Sequence, residues 1–150
     1  MLEVKNLNVV FHQNSSPIIA VKDFSFSIAA GETLGLVGES GSGKTVSSLA
    51  LLGLLNSKNV VLGGNAYFNM QQPVDLLKLN ERQLTAIRGR HIAMIMQEPM
   101  QAFNPIFTCG HQVAETIRKH TSLSKNDATE KVFQLFEKVK LPNPLQISKR

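Results

Sequence analysis

Residues 38–45 carry the pattern that most restricts what this chain can fold into. They read Gly-Glu-Ser-Gly-Ser-Gly-Lys-Thr, a full match to G-x-x-x-x-G-K-[ST]. The apolar run 33–37 before them is typical of a strand buried on both faces, and the spacing over 45–55 is typical of a helix. Glycines in such a loop let successive backbone N–H groups converge on an anion where the helix begins. The pattern therefore predicts a phosphate-binding loop between a strand and a helix of an α/β protein.

Two side chains of this loop have roles that follow from their chemistry. We expect Lys44 to hold the β and γ phosphates of a nucleotide, and Thr45 to offer its hydroxyl to Mg²⁺. The alternative is a glycine-rich strand-to-helix turn with an incidental lysine. The loop by itself indicates nucleotide binding without identifying the reaction, because hydrolases, kinases and motor-type ATPases share it.

The composition limits the class of protein. The chain has 150 residues, of which 43% are hydrophobic and 18% charged, enough for one core of ordinary size. Its net charge of +5 is scattered along the chain, so no nucleic-acid partner is expected. The single cysteine, Cys109, excludes an internal disulfide and favours a reducing compartment. The most apolar stretch, 46–55, falls short of the roughly 20 residues of a membrane span, and no leader pattern opens the chain. We expect a cytoplasmic location and no metal held by protein ligands alone.

Hydrophobic spacing divides the chain into strands and helices. The predicted strands are 2–11, 19–28, 33–37, 66–70 and, as a second buried parallel strand, 91–96. The predicted helices are 45–55, 80–88 with Asn80 as its cap, 110–120, and a last helix that begins with a capping box of Ser124 and Asp127. One apolar face of the last helix comprises Ala128, Val132, Leu135, Phe136 and Val139. Segments 12–17 and 101–108 are predicted as loops.

A second candidate site residue, Gln97, follows the apolar run 91–96. Open α/β sheets place ligand-facing residues where such strands end, and a glutamine there can bind Mg²⁺ through its carbonyl or position a water. It can also be an ordinary loop amide. Another interpretation takes 92–98 as a degenerate Walker B strand, with Gln97 in place of the metal-binding Asp and Glu98 as base. We prefer the first interpretation, because a neutral amide replaces the expected carboxylate.

Three segments together, 30–34, 38–45 and 97–105, resemble the ATP-binding subunits of ABC transporters. They are most similar to the dipeptide and oligopeptide importers and to relatives that import nickel or peptide antibiotics. The resemblance runs from Leu2 onward and implies an α/β P-loop fold of the ABC ATPase type. It implies an antiparallel β portion in a core of about 1–104, the start of a helical subdomain over about 105–150, and further strands that cover the core.

The resemblance also implies ATP and Mg²⁺ as cofactors. Thr45 and Gln97 would hold the metal, and Phe11, near the end of the first strand, would stack on adenine in place of the tyrosine of many members. The alternative is that Phe11 belongs to the core. The remaining nucleotide-binding residues are those of the loop: Gly38, Glu39, Ser40, Gly41, Ser42, Gly43, Lys44 and Thr45.

The partners implied by the resemblance are integral membrane permease subunits, a second ATP-binding subunit and, indirectly, an extracytoplasmic solute-binding protein. The expected location is therefore peripheral, on the inner face of the cell membrane. Segment 98–107 combines two prolines with Met100, Phe103, Ile106 and Phe107, which is too apolar for a freely solvated loop. We expect a permease helix to dock there; the alternative is that the segment packs on its own helical subdomain.

Several motifs of the family do not occur before Arg150. These are the Leu-Ser-Gly-Gly-Gln signature, the Walker B strand with its Asp and catalytic Glu, and the switch His. Neither Glu39 nor Glu98 matches the catalytic position, so no catalytic residue is assigned, and the chain alone is expected to hydrolyse ATP negligibly. The main interpretation is MgATP binding within an importer that takes up peptides or related small solutes. The alternatives are a truncated, non-hydrolysing remnant and an ABC-type ATPase of DNA repair or translation.

Overall fold

The computed structural model describes residues 1–12, 16–55, 57–70 and 72–149, which form two units, Met1–Thr85 and Ala86–Arg150. The strands are β1 (Leu2–His12), β2 (Pro17–Ile28), β3 (Val60–Asn69) and β4 (Pro73–Asp75). The helices are α1 (Lys44–Leu51), α2 (Glu81–Ile87), α3 (Cys109–His120), α4 (Lys125–Lys138) and α5 (Pro144–Ile147). Three 3-10 turns lie at Ser57–Asn59, Leu76–Lys78 and Pro99–Ala102.

The first unit is built on a four-stranded antiparallel sheet in the order β2-β1-β3-β4. In β1, Leu7 and Val9 lie two positions apart and are both buried in the core, and Val4 is buried as well. The two early strands predicted from alternation are thereby confirmed. The loop predicted between them includes residues 13–15, which lie outside the described part of the chain.

Strand β3 begins at Val60, six positions before the predicted start at Ala66, and it runs through two glycines. Gly64 has a φ of +86°, beside an irregularity in the β1–β3 pairing between Lys5 and Asn8. On β1, Asn6 also has a positive φ, and its N–H donates to Ser25 Oγ at 2.8 Å. The glycines thus mark a bulge within the strand.

Asp75 joins the short edge strand β4 to β3. Its carboxylate accepts hydrogen bonds from the Asn65 side-chain amide at 2.8 Å and from the Ala66 N–H at 3.0 Å. Burial acts to raise the pKa of Asp75, but these hydrogen bonds and the ammonium of Lys78 outweigh it and leave the pKa below its ordinary value. Because the carboxylate is ionised at neutral pH, it holds the edge of the sheet through several acceptor contacts.

The two predicted buried strands are wrong. Residues 33–37 have no regular structure, and Val37 is 93% exposed. In segment 91–96 only Ile92 makes a bridge, to Arg88, and Ile95 is 92% exposed. A buried parallel strand needs hydrogen-bonding neighbours on its edges, and within the described residues no strand pairs with either segment.

The helices agree better with the sequence, because local contacts set their ends. Asn80 and Gln83 exchange backbone-to-side-chain hydrogen bonds of 3.0 Å at the start of α2, and the hydroxyl of Ser124 accepts from the Asp127 N–H at 3.2 Å before α4. Both predicted caps are confirmed. The buried face of α4 comprises Ala128, Val132 and Phe136.

Three boundaries differ from prediction. Helix α1 is shorter than 45–55, since it ends at Leu51 and Gly53 follows with a φ of +60°. Val139 is not part of the buried face of α4, because it lies beyond the end of the helix and is 65% exposed. The predicted loop 101–108 begins inside the 3-10 turn Pro99–Ala102.

Candidate functional site

The loop 38–45 leads directly into α1, whose first residue is Lys44. Gly43 is the N-cap of this helix; it supplies no side-chain cap, and the first turn holds no acidic residue. The first helical hydrogen bond runs from the Ser47 N–H to the Gly43 carbonyl at 2.8 Å. The N–H groups before Ser47 therefore have no acceptor within the helix, and the helix dipole adds positive potential there. This end of α1 is suited to an anion.

Gly43 is required by two independent constraints. Its φ of +90° is a conformation that side chains disfavour, and a Cβ there would lie 2.6 Å from the carbonyl oxygen of Ala20 on β2. The loop thus packs against the backbone of β2, which fixes where α1 begins. Sequence analysis missed this contact because Ala20 is distant in the chain and carries no recognisable signal.

The Lys44 ammonium lies back over the loop. Its Nζ donates to the carbonyl oxygens of Gly38 and Glu39, both at 2.7 Å, and to Ser42 Oγ at 3.2 Å. One positive charge is therefore held at the start of a helix whose N–H groups are open. Thr45 is exposed one position further on.

An open pocket of about 260 Å³ lies between the loop and β2. Gly38, Ser42 and Lys44 form one wall, and the other includes Val21 and Phe24. A larger pocket of about 500 Å³ in the same unit is lined mainly by leucines, with Glu81 as its charged residue. The smaller pocket has the polar groups that can bind a phosphate chain, because a lysine and a serine hydroxyl line it. Among the described residues, no lysine or arginine lines the larger pocket.

The other two predicted site residues are not part of the loop. Phe11 is half-buried near the end of β1, opposite Ile18 on β2 and Val60 on β3, and the residues described as lining the loop pocket do not include it. Gln97 belongs to the second unit, where it is exposed at a bend and not at the end of a strand. The structure thus brings the eight loop residues together within the first unit.

The apolar segment 98–107 is held in shape by Gln112, a residue that sequence analysis missed. Its side-chain amide accepts from the Asn104 N–H at 2.9 Å and donates to the carbonyl oxygens of Asn104 at 3.0 Å and Phe107 at 2.9 Å. The Phe107 ring stacks on His111, with ring centres 5.1 Å apart. No sequence signal marks this amide, because its role depends on the turn of the loop.

Hydrophobic side chains of this segment face solvent. Ile106 is 83% exposed and Phe107 49% exposed. A pocket of about 260 Å³ beside them is lined by Met100, Phe103, Asn104, Pro105, Phe107, Cys109 and Gln112. A fixed loop with an open apolar pocket is typical of a surface that binds another protein.

The described residues include neither a group of metal-binding side chains nor a helix fit to span a membrane. No group of three His, Cys, Asp or Glu side chains among them could hold a metal ion. No helix in the same part of the chain has both the length and the apolar character that crossing a bilayer requires.

Comparison with known sequences identifies similar proteins. The family model described as ABC transporter matches residues 21–149. The chain is 40% identical over its whole length to the glutathione import ATP-binding protein GsiA of Shigella flexneri serotype 5b and 39% identical to that of Escherichia coli K12. It spans about a quarter of the length of these curated relatives, 25% in each case.

Solved structures with the same fold cover the whole chain. The dimeric, post-hydrolysis structure of the ATP-binding cassette MJ0796, bound to ADP and Pi, superposes with a TM-score of 0.81 at 20% identity. A dimeric structure of the same cassette, described as a bacterial ABC transporter cassette, gives 0.80. The chain covers 61% of each of these chains. The predicted fold class, an α/β P-loop fold with an antiparallel β portion and helices, is confirmed.

Proposed function

Because this chain belongs to the ABC transporter family, we propose that its loop 38–45 binds MgATP and that the protein energises import of peptides or related small solutes. The observation that carries the proposal is the uncapped start of α1 with the Lys44 ammonium beside it. The backbone N–H groups of the loop surround the phosphates, and Lys44 neutralises their charge. Bound Mg²⁺ supplies further charge neutralisation on the phosphates.

The metal ligands proposed from this chain are Thr45 and Gln97. The Thr45 hydroxyl is exposed in the first turn of α1, and Gln97 is also exposed. Both side chains offer the oxygen atoms that Mg²⁺ prefers. The loop residues Glu39, Ser40 and Gly41 contribute through the backbone in this proposal.

The solute class follows from the relatives that are 39–40% identical to this chain, since those proteins are named for glutathione import. Glutathione is a short peptide, so we extend the proposal to peptides and similarly small solutes. The test is uptake of labelled dipeptides and glutathione by cells that express either the complete native protein or its Lys44→Ala variant. Loss of uptake in the variant supports the proposal, and equal uptake contradicts it.

The same proposal includes the partners and the location. A permease subunit docks on segment 98–107, and a second ATP-binding subunit completes the assembly. A solute-binding protein delivers the solute. The protein lies on the inner face of the membrane. We assign about 1–104 to the nucleotide-binding core and about 105–150, with α3, α4 and α5, to the start of a helical subdomain.

Replacing Phe11 with alanine is expected to weaken binding of ATP and GTP together, by about tenfold, because base–aromatic stacking is worth about 1–3 kcal/mol and any purine presents a similar face. Calorimetric titration with both nucleotides measures the change. Phe11→Tyr is the matched control, since it keeps the ring and is expected to keep the affinity. A loss of stability in Phe11→Ala with unchanged affinities would assign Phe11 to the core instead.

Replacing Phe107 with serine is expected to reduce assembly with the permease several-fold while leaving MgATP affinity unchanged, because the ring is half exposed beside the apolar pocket. Co-purification of permease with the complete native protein measures assembly. Leu145→Ser is the control, since Leu145 is an exposed apolar residue of α5 outside the segment. Normal assembly and uptake in Phe107→Ser would remove the docking role.

A further inference from the structure

The side chain of Ser42 occupies a position in the loop that its backbone role does not explain. Its Oγ accepts a hydrogen bond from Lys44 Nζ at 3.2 Å. The same oxygen lies 2.7 Å from the point that a Cβ on Gly38 would occupy. One hydroxyl therefore contacts both the cation of the loop and the first glycine of the motif.

We infer that Ser42 is a positioning residue for Lys44, and that its hydroxyl makes the one short contact that a side chain at position 38 would meet. The inference rests on the proposed MgATP site, which it deepens. Ser42 contacts no phosphate through its side chain in this assignment. It acts by fixing the ammonium that does.

The glycine at 38 is not explained by its backbone conformation. Gly41 and Gly43 have φ values of +81° and +90°, whereas φ of Gly38 lies outside the region that L side chains avoid. An alanine at 38 therefore meets one short contact, with Ser42 Oγ; its next neighbours are Ser42 Cβ at 3.4 Å and Lys44 Nζ at 3.9 Å. Removing the hydroxyl removes the obstacle.

The three acceptors of Lys44 differ in what they accomplish. The carbonyl oxygens of Gly38 and Glu39 hold the ammonium to the beginning of the loop, whereas Ser42 ties it to the end, next to α1. The hydroxyl thus fixes the cation close to the open N–H groups of the helix. A charge fixed before binding loses less conformational entropy when phosphate arrives.

Both substitutions should remove the same contact. Ser42→Ala deletes the acceptor directly, while Gly38→Ala forces the hydroxyl to turn away from Lys44 and leaves it displaced within the loop. Their effects therefore should not add, because residues that share one interaction are coupled. Once the hydroxyl is gone, the methyl group at 38 has room.

The experiment measures MgATP affinity by calorimetry for the chain with Gly38→Ala, with Ser42→Ala and with both. We expect Ser42→Ala to lose about three- to tenfold, as for a single hydrogen bond of ordinary strength, and Gly38→Ala to lose more. The double variant should match Ser42→Ala within about twofold and bind more tightly than Gly38→Ala. A double variant as weak as Gly38→Ala, or weaker, would overturn the inference.

Two matched controls use neighbouring loop residues. Ser40→Ala should not restore Gly38→Ala, because the contact belongs to the hydroxyl of Ser42. Ser42→Ala should not restore Gly41→Ala, because Gly41 is constrained by its positive φ and has open space around it. Restoration in either control would mean a general loosening of the loop and would overturn the specific role of Ser42.

A second measurement needs no nucleotide. In NMR spectra of the chain labelled with ¹⁵N-lysine, the protons of the Lys44 ammonium should be protected and exchange slowly with solvent. Its signal is assigned by comparison with Lys44→Ala, in which it is absent. Ser42→Ala and Gly38→Ala should each weaken that protection; protection unchanged in Ser42→Ala would overturn the positioning role. If the unsubstituted chain binds no MgATP, the proposed function fails, and the ammonium signal alone decides the role of Ser42.

Discussion

Replacing Lys44 with alanine is expected to lower the affinity for MgATP by tenfold or more. Lys44 supplies a positive charge that hydrogen bonds to the loop hold beside the uncapped start of α1, and hydrogen bonds to charged groups contribute about 1.5–3 kcal/mol each. A loss of about 1.4 kcal/mol already corresponds to tenfold in affinity. Isothermal titration of the chain with ATP in excess Mg²⁺ measures the change directly.

The control for Lys44→Ala is Lys119→Ala, which removes the same charge from an exposed position on α3. Its affinity should match that of the unsubstituted chain, because Lys119 belongs neither to the loop nor to the residues that line the loop pocket. Lys44→Ala should fold normally, since the freed carbonyl oxygens of Gly38 and Glu39 can accept from water. A folded Lys44→Ala chain with full affinity would refute the assignment of the loop.

Replacing Gly64 with alanine is expected to reduce the free energy of unfolding by about 2–5 kcal/mol, from backbone strain and forced displacement together. The φ of +86° disfavours any side chain, and a Cβ would lie within 2.4 Å of the carbonyl oxygens of Lys5 and Asn6. Those atoms are backbone of the central strand β1, so relief requires the sheet to shift. Urea denaturation followed by circular dichroism measures the loss.

Gly63 provides the matched control for this substitution. It is the preceding residue of β3, its φ is not in the strained region, and a Cβ there would meet only Asn8 Cβ at 3.4 Å. Gly63→Ala should therefore change stability by less than about 1 kcal/mol. Equal midpoints for the two variants would show that the β1–β3 bulge does not constrain the chain.

Much of the candidate site could be predicted because its signals are local. The loop pattern at 38–45 places glycines, lysine and threonine within eight residues, and the structure joins that loop to α1 as expected. Gln97 shows the limit of this reasoning, since its predicted place at the end of a strand depended on strand 91–96. The role of the Ser42 hydroxyl also could not be predicted from the sequence, because it depends on how the loop turns back on Gly38.

Features that depend on residues two to four positions apart were predicted from the sequence without knowledge of the tertiary structure. These include the caps at Asn80 and Ser124, the buried face of α4 and the alternation of β1. Other features depend on contacts between residues distant in the chain. These are the packing of Gly43 on β2, the continuation of β3 through Gly64, and the absence of strands at 33–37 and 91–96. The physical reason is that a helix forms its hydrogen bonds within its own segment, whereas a strand needs a partner that is distant in the chain. An apolar run indicates that a segment favours burial, but the segment forms a strand only where another strand lies beside it to share hydrogen bonds.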